Sequence, residues 1–193
     1  MGYLGAMCAQ RRNPRFTVAE YLDFELEHSE RFEYVDGLIL AMSGAQPRHN
    51  AITVNVISGL HQRLRGRCRV MGADQRIATG DGVYTYPDSS VVCGPLELSS
   101  HKGTGTVHNP CVLVKVRSPS KRDYDLGDKL ESYKSIPALR HVLLIEAEEP
   151  HVRHVRRTAE GWETLEIRTL SEVVEFMGVA LPLSEIYEDL PEA

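Results

Sequence analysis

The spacing of hydrophobic residues predicts three helices. At the start of the first, Thr17 and Glu20 are spaced for a capping box. The second runs from RHN at 48–50 to about Gly66, and the third spans 123–136 with Asp123 as its N-cap. Apolar residues three or four positions apart would give each helix one buried face. They are Val18, Tyr21, Leu22 and Leu26, then Ile52, Val56, Leu60 and Leu64, then Leu126, Leu130 and Tyr133.

Short apolar runs predict strands between these helices. Asp36–Gly37 joins two such runs in RFEYVDGLILAMSG and predicts a hairpin. Further strands are predicted at CRVMG, QRIAT, GVYTYP, SSVVC, CVLVKV, HVLLIEA, HVRHVRR and WETLEI. Residues 94–110 are predicted to form a loop, and LPLSEIYEDL a short C-terminal helix. This order indicates an α+β fold with a central mixed β-sheet flanked by helices.

Length and composition predict one domain. The chain has 193 residues, 42% hydrophobic and 25% charged, enough for one sizeable core. We expect a flexible segment at 1–15 and a single domain over 16–193. The sequence has no apolar stretch of membrane-spanning length and no secretory signal, which predicts a cytoplasmic protein without a membrane partner. An acylation signal at Gly2 is less favoured than an unstructured start.

The cysteine spacing and the net charge argue against two kinds of binding site. Cys8, Cys68, Cys93 and Cys111 lack paired C-x-x-C spacing, so we predict reduced thiols near the core instead of a zinc site. The net charge of -5 argues against electrostatic binding of nucleic acid by the protein surface as a whole. Two alternatives stay open for HQRLRGRCR at 61–69: a phosphate-binding patch, or a solvated helix end where the dipole favours cations.

Several segments, in order, resemble the Uma-two family of restriction-endonuclease-like proteins. They are FTVAEYLDF, RFEYVDGLILAMSG, PRHN, YPDSSVVC, NPCVLVKVRSPSKRDYDLGDKLESYKSIPALRHVLLIE and VRHVRR. The resemblance covers about residues 16–190 and is most specific from Asn109 to Tyr133. It implies a restriction-endonuclease-like core of the PD-(D/E)xK nuclease superfamily, in which a metal-bound water attacks a DNA phosphodiester.

The resemblance also implies site residues. Pro87-Asp88 matches the family's PD step, which makes Asp88 a metal ligand and a catalytic residue. Glu33 matches a family glutamate on the first strand and is a second candidate for both roles. Lys129 matches a family lysine on the helix after the core strand and is a candidate catalytic lysine. The implied cofactor is Mg²⁺ or Mn²⁺, because hard dications prefer oxygen ligands.

Lys115 departs from this pattern, because relatives carry a glutamate where this chain reads Val114-Lys115-Val116. The exchange changes the site by two units of charge. Unit charges about 4 Å apart interact by roughly 4 kcal/mol at an effective dielectric near 20. We therefore predict that Lys115 and Asp88 neutralise each other, that metal binding is weak or absent, and that cleavage is impaired. The alternative is that Lys115 points into solvent or is itself a displaced catalytic lysine, with another acid completing the site.

Other residues leave alternatives open. His49 and Arg31 are candidates for substrate binding; otherwise His49 is a helix-start residue, and Arg31 with Glu33 forms a solvated strand face. Asp88 alone is also compatible with a strand turn, and Lys129 with an exposed pair to Asp125. Asp74 and Asp81 are candidates for the missing carboxylate. His101 and His108 are predicted to be exposed.

The function predicted from these residues is a metal-dependent DNA endonuclease, impaired by Lys115. DNA is the expected partner, and a homodimer is expected because double-strand nucleases of this superfamily commonly pair and HVRHVRR and WETLEI are candidate edge strands. The alternative is a non-cleaving nucleic-acid-binding or oligomerisation module on the same fold.

Overall fold

The computed structural model describes residues 15–42, 44–117 and 127–192. The helices are α1 (Val18–Leu26), α2 (Pro47–Leu64), α3 (Asp128–Lys134) and α4 (Leu183–Ile186). The strands are β1 (Phe32–Val35), β2 (Leu38–Ala41), β3 (Cys68–Gly72), β4 (Ile77–Ala78), β5 (Tyr84–Thr85), β6 (Ser89–Cys93), β7 (Leu98–His101), β8 (Thr104–Val107), β9 (Val112–Arg117), β10 (His141–Glu146), β11 (Val152–Arg157), β12 (Trp162–Ile167), β13 (Val173–Phe176) and β14 (Val179–Pro182).

Two six-stranded sheets and a two-stranded ribbon contain these strands. The first sheet has the order β2-β1-β5-β4-β8-β7, the second β12-β11-β10-β9-β6-β3, and β13 pairs with β14. Each large sheet is mixed, with one parallel pair, β4–β8 or β9–β10. The predicted α+β class with mixed sheet and flanking helices is confirmed. Between β5 of the first sheet and β6 of the second, the chain passes through Tyr86 and Pro87. The strands are divided between two sheets at this point because a proline has no N–H with which to continue a ladder of hydrogen bonds.

Local signals in the sequence form the predicted elements. Thr17 and Glu20 make the capping box of α1. The β1–β2 hairpin turns at Asp36 and Gly37, whose φ angles of 50° and 82° are left-handed, as a tight hairpin turn requires. The predicted apolar face of α2 is fully buried in the core. The predicted N-cap Asp123 lies outside the described residues, and α3 begins at Asp128.

The second sheet is buried on both faces. Val112, Val114 and Val116 of β9 belong to a core shared with α2, β14 and α4. Leu113 of β9 belongs to another core on the opposite face, together with Leu130 of α3. Because side chains alternate along a strand, Lys115 lies on the same face as Leu113, toward α3.

Residues 94–110 were predicted to be a loop, and this prediction is wrong. They contain the β7–β8 hairpin, which turns at Lys102 and Gly103 with φ angles of 46° and 90°. His101 and His108 are partly buried instead of exposed, because their side chains hydrogen-bond to Asp23 and Ser99 at 2.7 Å. The β13–β14 hairpin was not predicted.

The prediction of reduced thiols is wrong for Cys68 and Cys93, which form a disulfide. The register of β3 against β6 places these two residues directly opposite each other, which a separation of 25 positions does not reveal. Cys111 is a free, partly buried thiol, and Cys8 lies outside the described residues. Across residues 15–42, 44–117 and 127–192, no helix is long and apolar enough to cross a membrane.

Candidate functional site

A cleft of about 620 Å³ opens where the first turn of α2 faces the strand ends at Asp88 and Lys115. One part of its wall is formed by the residues just before β1, the first turn of α2 and the turn that follows β3. The rest is formed by Asp88 just before β6, the C-terminal end of β9 and the turn that follows β10. Four of the six site residues predicted from the sequence line it, namely Asp88, Lys115, His49 and Arg31, and so does the alternative acid Asp74. The other two, Glu33 and Lys129, are buried and do not line it.

Asp88 lies immediately before β6 and is held by hydrogen bonds to the backbone of β9. Its backbone N–H donates to the Val114 carbonyl at 3.0 Å, and its Oδ2 accepts from the Val116 N–H at 2.6 Å. Its Oδ1 lies 3.2 Å from Lys115 Nζ and 3.5 Å from His49 Nε2. Asp88 is only 5% exposed. The β6–β9 pairing therefore brings the aspartate and the unusual lysine into direct contact, as predicted.

The contacts of Asp88 keep this pair ionised. Burial by itself would raise the pKa of Asp88, but His49, the Lys115 charge and the Val116 N–H together hold that pKa below its usual value. Burial would likewise lower the pKa of Lys115, yet the neighbouring Asp88 charge leads the effects that raise it. Both groups are therefore charged at neutral pH, and each neutralises the other.

Glu33 and Lys129 form a second ion pair beside the cleft. Lys129 Nζ lies 2.6 and 2.9 Å from the two carboxylate oxygens of Glu33, and the Thr85 hydroxyl also donates to Glu33. Burial would raise the pKa of Glu33, but the charge and hydrogen bonds of Lys129, with Thr85 and Lys115, lower it overall. The solvated-face alternative is therefore wrong for Glu33, whereas Arg31 is exposed and lines the cleft, which is compatible with both of its alternatives.

The two ion pairs belong to one cluster. Thr85, which binds Glu33, stands three positions before Asp88, and the Lys115 charge acts on Glu33 as well as on Asp88. The cluster thus contains two carboxylates and two ammonium groups.

Neither alternative acid joins this cluster. Asp74 lines the cleft, but its side chain is 91% exposed and lies 3.8 Å from Arg31. Asp81 accepts hydrogen bonds from Thr79 and Ser135 and is not part of the cleft lining. The basic segment at 61–69 lies at the other end of α2 from the cleft, where Arg63 pairs with Glu185, so the helix-end alternative fits it better.

Sequence analysis missed three contributors to the site. Thr85 and the Val116 N–H each hold one of the buried carboxylates. Arg48 lines the cleft and donates from Nε to the Ala147 carbonyl at 2.6 Å. The segment PRHN was a signal for Arg48, whereas the roles of Thr85 and Val116 depend on strand register and have no sequence signal.

The carboxylates do not fit a hard dication in this arrangement. Mg²⁺ requires several oxygen ligands at short distance. Asp88 already contacts an ammonium and a backbone N–H, and Glu33 contacts an ammonium and a hydroxyl. Among the described residues, no group of three or more His, Cys, Asp and Glu side chains is arranged to hold a metal ion.

The family model described as "Putative restriction endonuclease" matches residues 18–184. The chain belongs to the Uma2 family. Two uncharacterized proteins of Synechocystis sp. are similar to this Uma2 chain. One is 30% identical over 181 residues, 92% of this chain and 94% of the relative. The other is 28% identical over 163 residues, 83% and 92% of the two chains.

A solved structure shares the fold of this Uma2 chain. It is described as a putative nuclease belonging to DUF820 from Anabaena variabilis, and it aligns with a TM-score of 0.68 at 21% identity. The alignment covers 86% of this chain and 96% of that one. The resemblance seen in the sequence and the nuclease-like fold are thus confirmed.

Proposed function

We propose that this Uma2 chain is a metal-dependent DNA endonuclease of the PD-(D/E)xK type that is impaired by Lys115. The observation that carries the proposal is the 3.2 Å contact between Lys115 Nζ and Asp88 Oδ1. The family description supports the reaction class. The ammonium stands at the position where relatives are expected to carry the second metal carboxylate, which supports the impairment.

The two ammonium groups of the cluster oppose the binding of a metal ion. A dication would have to displace Lys115 from Asp88, and it would approach a second ammonium at Lys129. Like charges in a partly buried site repel strongly, because the effective dielectric is well below that of water. The metal would supply an activated water and neutralise charge on the phosphate. Without it, Lys115 and His49, which line the cleft beside Asp88, are able to contact a phosphate.

The lining of the cleft supports weak binding of nucleic acid. Arg31, Arg48 and His49 line it, and the first turn of α2 contains no acidic residue, so its N–H groups also favour phosphate. Acidic Glu30 and Glu148 line the same cleft and oppose this attraction. We therefore expect an affinity for DNA that is modest and falls steeply with salt.

A titration with Mn²⁺, followed by calorimetry, tests the proposal. It compares the native chain with Lys115→Glu, and Asp88→Ala serves as the negative control. We expect at least a tenfold higher affinity for Lys115→Glu than for the native chain, because carboxylates gathered without a cation are stabilised by binding one. In parallel, a Mg²⁺-dependent nicking assay on supercoiled plasmid should show little activity for the native chain.

Two results would contradict the proposal in different ways. Equal Mn²⁺ affinities for the native chain and Lys115→Glu would show that position 115 is not a ligand position. Rapid nicking by the native chain, abolished in Asp88→Ala, would identify an active enzyme with a rearranged site.

A non-cleaving oligomerisation module is the second candidate function. The observation that favours it is the position of β12 at the edge of the second sheet, with Leu165 of that strand 38% exposed. An edge strand has unpaired N–H and C=O groups with which a second copy of the chain is able to pair. We propose a homodimer joined along this edge in either case.

A further inference from the structure

We infer that Cys68, Cys93 and Cys111 form a thiol–disulfide exchange site, in which the Cys111 thiol competes with Cys68 for the bond to Cys93. The Cys68–Cys93 disulfide joins β3 to β6. Cys111, immediately before β9, places its Sγ 3.5 Å from Cys93 Sγ. A free thiol thus lies in contact with one particular sulfur of an existing disulfide.

Strand order explains why Cys93 is the shared partner. β6 lies between β3 and β9 in the second sheet, so Cys93 has a cysteine on each side. The Cys111 N–H and Sγ both lie within hydrogen-bonding distance of the Val91 carbonyl, at 2.8 and 3.3 Å, which holds the thiol beside β6. All three cysteines are partly buried at the margin of one core. Cys68 and Cys111 are separated by the width of β6.

The exchange balances without an external oxidant or reductant. Cys111 first loses its proton to solvent, because the thiolate is the nucleophile. Its sulfur then attacks Cys93 Sγ, so that a Cys93–Cys111 bond forms and the Cys68–Cys93 bond breaks. Cys68 leaves as a thiolate and takes up a proton from solvent. Burial raises the pKa of Cys111, so the exchange should be slow at neutral pH and faster in alkaline solution.

Exchange would move the cross-link from one strand pair to the next. β3 is the outer strand of its sheet and would lose its covalent tie to β6. Its other end leads directly to Ala73 and Asp74, which line the cleft. The position of the disulfide among the three cysteines would thereby change the mobility of one cleft wall.

Disulfide mapping in two matched variants tests the inference. Both carry Cys8→Ser to remove the thiol outside the described residues, and each then loses one further cysteine, by Cys68→Ser or Cys93→Ser. The proteins are reduced, oxidised with oxidised glutathione, alkylated and digested without reductant. In Cys68→Ser we expect a Cys93–Cys111 disulfide in most molecules. In Cys93→Ser we expect Cys68 and Cys111 not to join each other.

The Cys8→Ser chain that keeps the other three cysteines provides a test that does not depend on those two variants folding. After incubation at pH 9, mapping should find both Cys68–Cys93 and Cys93–Cys111, and exchange should accelerate roughly tenfold per pH unit while the pH is below the pKa of Cys111. Detection of Cys68–Cys93 alone after prolonged incubation at pH 9 would overturn the inference. So would a folded Cys68→Ser variant, judged by circular dichroism, in which Cys93 and Cys111 stay unlinked.

Discussion

The Lys129 ammonium donates to both carboxylate oxygens of Glu33, and the two residues are 6% and 8% exposed. The contact joins α3 to β1 across 96 positions of sequence. A buried ion pair adds little net stability over a well-packed apolar pair, because both charges lose their hydration. Removal of one partner is different, since it leaves a buried charge without compensation.

The first prediction concerns this pair. Lys129→Met should lower the free energy of unfolding by about 3–5 kcal/mol, because it leaves the Glu33 carboxylate buried without its ammonium. The double variant Glu33→Gln/Lys129→Met should recover a large part of this loss. Urea denaturation at pH 7 measures both effects.

Lys134→Met is the matched control, because Lys134 pairs with the exposed Glu131 in the same helix. Its effect should stay below about 1 kcal/mol, as for other exposed pairs. Similar losses for Lys129→Met and Lys134→Met would contradict a special role for the buried pair.

The second prediction concerns pH. His141 Nδ1 lies 3.0 Å from His154 Nε2, and His154 is fully buried. Burial, followed by nearby positive charge, lowers the pKa of each histidine to about 4. Of the charges facing the pair, Arg156 lowers both pKa values, Arg140 lowers that of His141, and Glu163 opposes the decrease at His154.

The direction of the change in stability with pH follows from proton linkage. Between a pKa of about 6.5 in the unfolded chain and about 4 in the folded chain, the unfolded state binds more protons. The free energy of unfolding should therefore be highest above pH 6.5 and fall toward pH 4, by on the order of 3 kcal/mol for the fully buried His154 alone. Urea midpoints between pH 7.5 and 5 measure this while the carboxylates remain ionised.

His154→Leu should flatten this pH dependence, whereas replacement of the exposed His61 by glutamine should leave it unchanged. A native chain whose stability is constant between pH 7.5 and 5 would show that the buried histidines do not control acid stability.

The third prediction concerns the loop that supports α3. A Cβ atom added at Gly80 would lie 2.3 Å from the Ser135 carbonyl oxygen, which follows the C-terminal end of α3. Gly80→Ala should therefore destabilise the chain by about 1–3 kcal/mol, as overpacking does elsewhere. Movement of α3 would also loosen the Lys129–Glu33 contact.

Gly105→Ala is the control, because a Cβ atom there meets no described atom within 4 Å. Urea denaturation of both variants separates the steric effect from the general effect of adding a methyl group. Equal stabilities would show that the loop moves freely away from α3.

The fourth prediction concerns association. If copies pair along β12, light scattering at high micromolar concentration should give twice the mass of one chain. Leu165→Lys should shift the protein toward monomer, because it adds charge to the exposed edge strand. Leu98→Lys places the same charge on β7, an edge strand of the first sheet, and should leave the dimer intact. A native chain that is monomeric at these concentrations would rule out this dimer.

The site was only partly predictable from the sequence. Asp88 was assigned through a resemblance, Lys115 as a departure from it, and His49 and Arg31 as candidates for substrate binding, and the structure brings all four to one cleft. Glu33 and Lys129 came from the same resemblance, but their direct pairing was not expected. The contribution of Thr85 depends on its place in β5 opposite β1, and no motif marks it.

The sequence by itself determined the local elements of this protein. The capping box of α1, the Asp36–Gly37 turn and the apolar face of α2 depend on residues a few positions apart, whose hydrogen bonds and backbone angles form without distant partners. Only the tertiary structure decided which charges and thiols meet. The Glu33–Lys129 and Cys68–Cys93 pairs depend on strand register and on burial away from water, and these arise when distant segments pack together.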